Sequence, residues 1–481
     1  MAAPKVFKNF TSRRIGFWLG LAFFMLSFLV PPPGRMTVVA WHTALITLFM
    51  AVWWMTEAIP IPATSLLPII LFPLLNISTV KEAAAPFGHP LIFLFLGGFI
   101  LALSMERTGL HRRLALRIIH ILGVNPRSVI AGFMIATAFI SMWVSNTATT
   151  LMMLPIGLSV IHIARGKLSD KESQRFSVVL LLGIAYSASV GGLGTLIGTP
   201  PNALLAAVMQ ETFDIQIGFV QWMGFGVPIS VIGLGLVFFL LNFVLHPLHV
   251  DRFGGRDFIR EELLKLGPMT PAEKRIAVLF MATALLWMIR PLLQKLIPGI
   301  SDAGIALTSA TLVFILPEHH IGGRALMRWE EAVKLPWGIL LLFGGGLSLA
   351  QAISSSGLSE WIGGQLTGLN SLPLFLLVAL AAAMVIFLTE LTSNTATAAT
   401  FLPIIAAVAV SLGVNPMLLA APAAAAATCA FMLPVATPPN AIVYGSGLLN
   451  ISDMVKAGVL LNIIFTMINT VMAFLLAPLV F

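Results

Sequence analysis

The chain has 481 residues, 58% of them hydrophobic and 10% charged, with a mean hydropathy of +0.98. A soluble protein of this length carries roughly 25% charged residues, so a water-soluble globule is excluded. The net charge of +8 requires no nucleic-acid partner, because Lys and Arg gather in short loops, as they do on the cytoplasmic side of membrane proteins.

A helix needs about 20 apolar residues to cross a hydrocarbon core of about 30 Å. The apolar runs here are continuous, whereas a membrane barrel alternates in short segments. The expected fold is therefore an all-α polytopic membrane protein. Spans are predicted near residues 15–32, 38–56, 58–75, 88–108, 178–208, 223–248, 275–296, 301–317, 335–356, 417–446 and 455–480. Those eleven transmembrane helices are joined by two re-entrant hairpins, 126–163 and 372–412, each broken midway by an Asn-Thr motif. Lys5, Lys8, Arg13 and Arg14 place the N-terminus in the cytoplasm and, with an odd number of spans, the C-terminus outside. No small-residue cleavage site follows the first apolar run, so that span is expected to stay in the mature protein.

The strongest signal is a repeated polar break. Ser145-Asn146-Thr147-Ala148-Thr149 is echoed by Ser393-Asn394-Thr395-Ala396-Thr397, and Thr199-Pro200-Pro201-Asn202 by Thr437-Pro438-Pro439-Asn440. The glycine-rich run at Gly97-Gly98 matches Gly345-Gly346 at the same 248-residue offset that separates Ser145 from Ser393. An odd number of spans between the copies makes this an inverted-topology repeat. The chain thus divides into an N-terminal segment and first helix (1–37), a first repeat (38–248), a basic cytoplasmic linker (249–274) and a second repeat (275–481).

Uncharged oxygens and helix-breaking prolines are costly at membrane depth unless they line a cavity or bind something. Ser, Thr and Asn oxygens with free carbonyls suit small hard cations, and half-helix N-termini favour an anion. The symmetry suggests two cation sites flanking one anion site. No Lys, Arg or His lies in 138–155, 191–206, 391–403 or 433–444, so co-bound sodium is the simplest neutralising partner for a dianion.

Most other polar residues read as structural. Glu57 and Glu106 suit a membrane interface. Glu390 reads as a buried hydrogen-bond partner, with a proton carrier as the alternative. Asp302 is an acidic residue near a span, a position that is functional by default. His42 and His89 fit packing at span ends, and His319-His320 fits a solvated loop. Trp53, Trp54, Trp143 and Trp337 fit packing or interfacial anchoring. Cys429 is the only cysteine, so no disulfide or thiolate metal site is expected. Neither Ser145 nor Ser393 has a nearby His, which argues against a serine hydrolase, and no enzyme or organic cofactor is expected.

With these motifs the chain resembles the divalent anion:sodium symporters, which carry di- and tricarboxylates or sulfate. The matching stretches are Ser141-Met142-Trp143-Val144-Ser145-Asn146-Thr147, Thr389-Glu390-Leu391-Thr392-Ser393-Asn394-Thr395, both Thr-Pro-Pro-Asn breaks and Trp53-Trp54-Met55-Thr56-Glu57-Ala58-Ile59-Pro60. The resemblance implies a homodimer with a fixed scaffold and a transport domain that moves as an elevator. It also implies a first sodium site at Ser141, Ser145, Asn146 and Gly198, and a second at Thr389, Ser393, Asn394 and Ala436. Substrate carboxylates would meet Asn146, Thr147, Thr199 and Pro200 from one half, and Asn394, Thr395, Thr437 and Pro438 from the other. The expected function is sodium-coupled symport of a C4 dicarboxylate in a bacterial inner membrane. The alternatives are sodium-independent exchange of a dicarboxylate or 2-oxoglutarate, citrate or sulfate symport and, more remotely, an anion channel.

Overall fold

In a computed structural model, residues 5–34, 36–122, 125–248, 255–318, 323–365 and 372–481 are described. Among them every regular element is helical apart from one isolated bridge, Pro317 to Ala325, and ten helices are long and apolar enough to cross a membrane. His319-His320 lies outside the described residues.

The first half opens with α1 (Lys5–Leu29) and α2 (Val38–Thr56), the latter capped by the Thr37 hydroxyl accepting from the Ala40 amide at 3.1 Å. The predicted span 58–75 is not one helix. Pro60, Pro62 and Pro68 can start a helix but not continue one, and they divide it into α3 (Ile61–Thr64) and α4 (Leu67–Leu74). Next come α5 (Val80–Ala84), a 3-10 turn, and α6 (Pro90–Thr108), which His89 caps through the Leu91 amide. Gly109, at φ +79°, then turns the chain into α7 (Leu110–Leu122). The first hairpin is α8 (Pro126–Ser141) and α9 (Asn146–Arg165). It is followed by α10 (Asp170–Gly192), α11 (Pro200–Phe213) and α12 (Phe219–Phe239), which a π-helical turn extends over Leu240–Leu245.

Inside the predicted linker lies α13 (Gly255–Lys265), and α14 (Pro271–Leu293) begins before residue 275, at a Thr270–Glu273 capping box. The second half continues with α15 (Asp302–Ile315), the short α16 (Trp329–Ala332) and α17 (Trp337–Ser355). Gly357, again at φ +79°, leads into α18 (Leu358–Gln365). The second hairpin is α19 (Leu374–Thr389) and α20 (Asn394–Ser411), followed by α21 (Pro416–Ala426), α22 (Pro438–Tyr444) and α23 (Ile451–Val480). Both left-handed glycines sit at the same repeat position, where a Cβ would be strained.

Two groups of helices pack by the same symmetry. In one group, a frame, α6 lies against α14 and α15, and α17 lies against α2 to α5. These helices approach through small residues, as membrane helices do when packing rather than water expulsion drives association. A Cβ on Gly97 would fall 2.6 Å from the Ala306 carbonyl carbon, and one on Gly345 would fall 2.8 Å from the Ser65 Cα. In a core bundle, α8, α9 and α12 surround α10, while α19, α20 and α23 surround α21. The halves interlock there: α11 crosses to pack on α20 and α21, and α22 packs on α9 and α10. Helix α10 is the central column and is almost wholly buried.

Helix α7 is amphipathic. Leu110, Ala115, Leu116 and Ile119 face inward, whereas Arg112 and Arg117 are exposed. Its buried Arg113 reaches the turn between α13 and α14. There it makes two bonds to Glu273, at 2.8 and 3.1 Å, and donates to the carbonyls of Gly267, Leu266 and Pro268. Each acceptor compensates charge that would be costly to bury alone.

Candidate functional site

Each hairpin tip leaves the helical path for four residues or fewer, which brings the end of one limb against the start of the next. Ser141 ends α8 and Asn146 begins α9. The Ser141 hydroxyl lies 2.7 Å from Asn146 Oδ1 and 2.7 Å from the Ala188 carbonyl of α10. In the second half, Thr389 ends α19 and Asn394 begins α20. The Thr389 hydroxyl lies 2.7 Å from Asn394 Oδ1 and 3.0 Å from the Ala427 carbonyl. Both hydroxyls are fully buried. Each cluster gathers three oxygens around a single hydroxyl proton, so acceptors outnumber donors. That imbalance suits a hard cation, which oxygen ligands coordinate.

The broken spans supply the rest. Gly198 and Thr199 lie in the unwound stretch between α10 and α11, and Ala436 and Thr437 in that between α21 and α22. Gly192 shows how close the stretch comes to the first tip. A Cβ there would sit 2.7 Å from Asn146 Oδ1 and 3.2 Å from the Gly198 carbonyl oxygen, so all three share one small space. Pro200 and Pro438 occupy the first positions of α11 and α22, where a missing N–H costs nothing. The Thr437 hydroxyl accepts from the Asn440 amide at 3.3 Å, while the Thr199 hydroxyl instead meets that of Thr428 at 3.3 Å. Among the described residues, Thr147 and Thr395 make no side-chain hydrogen bond, which leaves their half-buried hydroxyls for other partners.

Two expected ligands stand apart from these contacts. Ser145 uses its hydroxyl to cap α9, accepting from the Ala148 amide at 3.3 Å, and Ser393 makes no such cap. No hydrogen bond joins either side chain to the clusters among the described residues. The aromatic neighbour Trp143 packs edge-on against Phe280 of α14 at 4.9 Å and parallel to Phe219 at 6.0 Å. Trp54 is fully buried and donates to the Ser65 hydroxyl, which makes it a packing residue.

The site also uses residues beyond the expected ligands. The carbonyls of Ala188 and Ala427 carry no signature at all. Glu390 is buried and accepts from the amides of Phe431 (2.7 Å), Met432 (2.9 Å) and Leu433 (3.1 Å) and from Asn462 Nδ2 (2.8 Å). All four partners are donors, so it holds the unwound stretch as a structural acceptor. Asn202 and Asn440 close the two Thr-Pro-Pro-Asn motifs, and their matching positions were the signal that could have marked them. Among the described residues, no group of three or more His, Cys, Asp or Glu side chains is placed to hold a metal.

An all-helical membrane fold with paired, acceptor-rich breaks at the centre of an interlocked repeat belongs to the class of secondary transporters. Solved structures share the fold. That of the Alcanivorax borkumensis YdaH transporter aligns with a TM-score of 0.57 at 14% identity, covering 92% of this chain and 98% of that one. That of Neisseria gonorrhoeae MtrF, described as an antimetabolite efflux pump, gives 0.55 at 12% identity, covering 96% and 94%. The family described as the sodium:sulfate symporter transmembrane region matches residues 12–481. The chain belongs to that family of transporters and is not an enzyme. Among curated relatives, the sodium-dependent dicarboxylate transporter SdcS of Staphylococcus aureus strain MRSA252 is 44% identical over 482 residues, covering 98% of this chain and 92% of the relative. The protein of the same name from Staphylococcus saprophyticus is 43% identical over 476 residues, covering 96% and 91%.

Proposed function

We propose that this chain couples sodium to the symport of a C4 dicarboxylate such as succinate, malate or fumarate. The observation that carries the reading is the pair of matched clusters, Ser141–Asn146–Ala188 and Thr389–Asn394–Ala427, each with more acceptors than donors. Sodium would sit at Ser141, Ser145, Asn146 and the Gly198 carbonyl in one half. In the other it would sit at Thr389, Ser393, Asn394 and the Ala436 carbonyl. The substrate carboxylates would lie between them, against Asn146, Thr147, Thr199 and Pro200 on one side and Asn394, Thr395, Thr437 and Pro438 on the other. Helices α9 and α20 start here, and their free N–H groups favour negative charge. With no basic side chain in these segments, sodium supplies the remaining countercharge, so anion and cation each raise the other's affinity. The dicarboxylate named for both Staphylococcus relatives is the reason to prefer it over the sulfate of the family description.

The same reading has the core bundle moving as an elevator against the frame, in a homodimer of a bacterial inner membrane with its N-terminus cytoplasmic and C-terminus external. An asymmetry between the halves supports the movement. Leu391 and Val435, beside the second tip and break, are 74% and 72% exposed. Their counterparts Trp143 and Ile197 are packed, Trp143 against Phe280 and Phe219, and Ile197 at only 6% exposure. Two equivalent gates in unlike environments suit a bundle that is open on one side and closed on the other.

Labelled succinate uptake into proteoliposomes empty of substrate tests the reading. Accumulation above the external concentration under an inward sodium gradient is the expected result. Uptake only after loading a counter-substrate would replace symport with exchange, and downhill flow indifferent to sodium would indicate a channel.

A further inference from the structure

The two Thr-Pro-Pro-Asn motifs do more than break a helix. The Asn202 side-chain amide donates to the carbonyls of Gly192 at 3.0 Å and Thr195 at 2.8 Å, ten and seven residues upstream, with Leu193 at 3.4 Å. The Asn440 amide donates to Ala430 at 3.2 Å and Leu433 at 3.1 Å, again ten and seven residues upstream. Both side chains are fully buried. An asparagine amide has two hydrogens, and each motif uses both on the carbonyls of the preceding unwound stretch. The stretch is thereby closed into a ring at membrane depth, where an unpartnered carbonyl is costly.

Each ring bears on its cation cluster. In the first half, Gly192 holds one clamped carbonyl and also abuts Asn146 Oδ1 and the Gly198 carbonyl. Moving Gly192 therefore moves the wall against which the Asn146 carboxamide rests. In the second half, the clamped segment begins three residues after the Ala427 carbonyl and ends three before Ala436.

We propose that Asn202 and Asn440 are positioning residues that set the cation affinity of the two halves by fixing their unwound carbonyl rings. The proposal rests on the sodium-coupled reading above. The two rings are braced differently. Glu390 adds a second brace to the later ring through the amides of Phe431, Met432 and Leu433. At the position matching Glu390 stands Met142, whose carbonyl accepts from the Thr195 hydroxyl; that hydroxyl in turn accepts from the Gly198 amide at 3.1 Å, and Trp222 Nε1 donates to the Leu193 carbonyl at 2.9 Å, so the first ring is braced by single neutral bonds. A carboxylate holding three successive amides is a stronger brace than single neutral bonds, so the first ring depends on its asparagine more heavily than the second.

The test is the sodium concentration for half-maximal succinate uptake in proteoliposomes, measured for wild type, Asn202→Ala, Asn202→Ser and Asn440→Ala. Loss of an outer-shell partner typically costs about 10- to 100-fold in metal affinity. Asn202→Ala is expected to raise the sodium requirement in that range, with the succinate KM at saturating sodium little changed. Serine can donate one bond, so Asn202→Ser should fall between Ala and wild type. Asn440→Ala should shift less, because Glu390 still holds its ring, and that variant keeps the test alive if Asn202→Ala does not fold. Sodium curves that match wild type in folded Asn202→Ser and Asn440→Ala protein would overturn the proposal, as would a loss confined to succinate KM. A wild type indifferent to sodium would instead remove the transport reading itself, and this inference with it.

Discussion

Glu390→Gln is the sharpest single perturbation of the site. The wild-type carboxylate accepts three bonds on Oε1, from Phe431, Met432 and Asn462, and one on Oε2, from Leu433. Glutamine keeps the first oxygen but points an NH2 group at the Leu433 amide, so one bond becomes a donor–donor contact. The other three change from charge-assisted to neutral. Bonds to charged groups contribute about 1.5–3 kcal/mol and neutral ones about 0.5–1.5, so the three weakened bonds and the lost one together should cost roughly 4.5–7.5 kcal/mol. Glu390→Asp should fail similarly, since a side chain one methylene shorter cannot span three successive amides. Denaturant unfolding of the purified protein in detergent, alongside sodium-driven uptake, reads both effects. A Glu390→Gln protein with wild-type stability and sodium activation would refute the brace. Loss of pH dependence alone would make Glu390 a proton carrier.

Asn146→Ala and Asn394→Ala each remove the carboxamide oxygen of a cluster. Sodium-driven uptake should fall at least about 100-fold in either, beyond the usual loss for an outer-shell residue, while membrane insertion measured by fluorescence-detected gel filtration stays normal. Thr389→Ala deletes one oxygen of the second cluster and should raise the sodium concentration for half-maximal uptake about tenfold, equivalent to about 1.4 kcal/mol, with substrate ranking in competition assays unchanged. Arg113→Ala leaves Glu273 buried without its cation and should cost roughly 3–5 kcal/mol in denaturant unfolding, whereas exchanging the exposed Arg117 for Ala should cost almost nothing.

The features legible in the sequence are those written in local chemistry. Apolar runs marked the helices, and the repeated Ser-Asn-Thr and Thr-Pro-Pro motifs marked where they break. A shared offset of 248 residues aligned the tips and the glycine-rich helices. The division of 58–75 by three prolines was legible in principle, but mean hydropathy outweighed it. The carbonyls of Ala188 and Ala427 were not legible, because any residue type supplies a carbonyl and only the packing of α10 and α21 aims these two. The crossing of α11 and α22 between halves is likewise a matter of tertiary packing. Glu390 was visible as a buried acid beside a motif, but its four donors lie about forty and seventy residues away in sequence. Asn202 and Asn440 were read as part of a helix-breaking motif, and their role emerges only once the carbonyls behind them are placed.

Sodium coupling as proposed needs two equivalent cation sites, one per half. Its most direct test is the ratio of radioactive sodium to labelled succinate entering the same proteoliposomes at early times. The paired clusters predict at least two sodium ions per succinate, falling together when either Asn146 or Asn394 is replaced. A ratio of one or less, or a variant that still moves succinate with half the sodium, would contradict it.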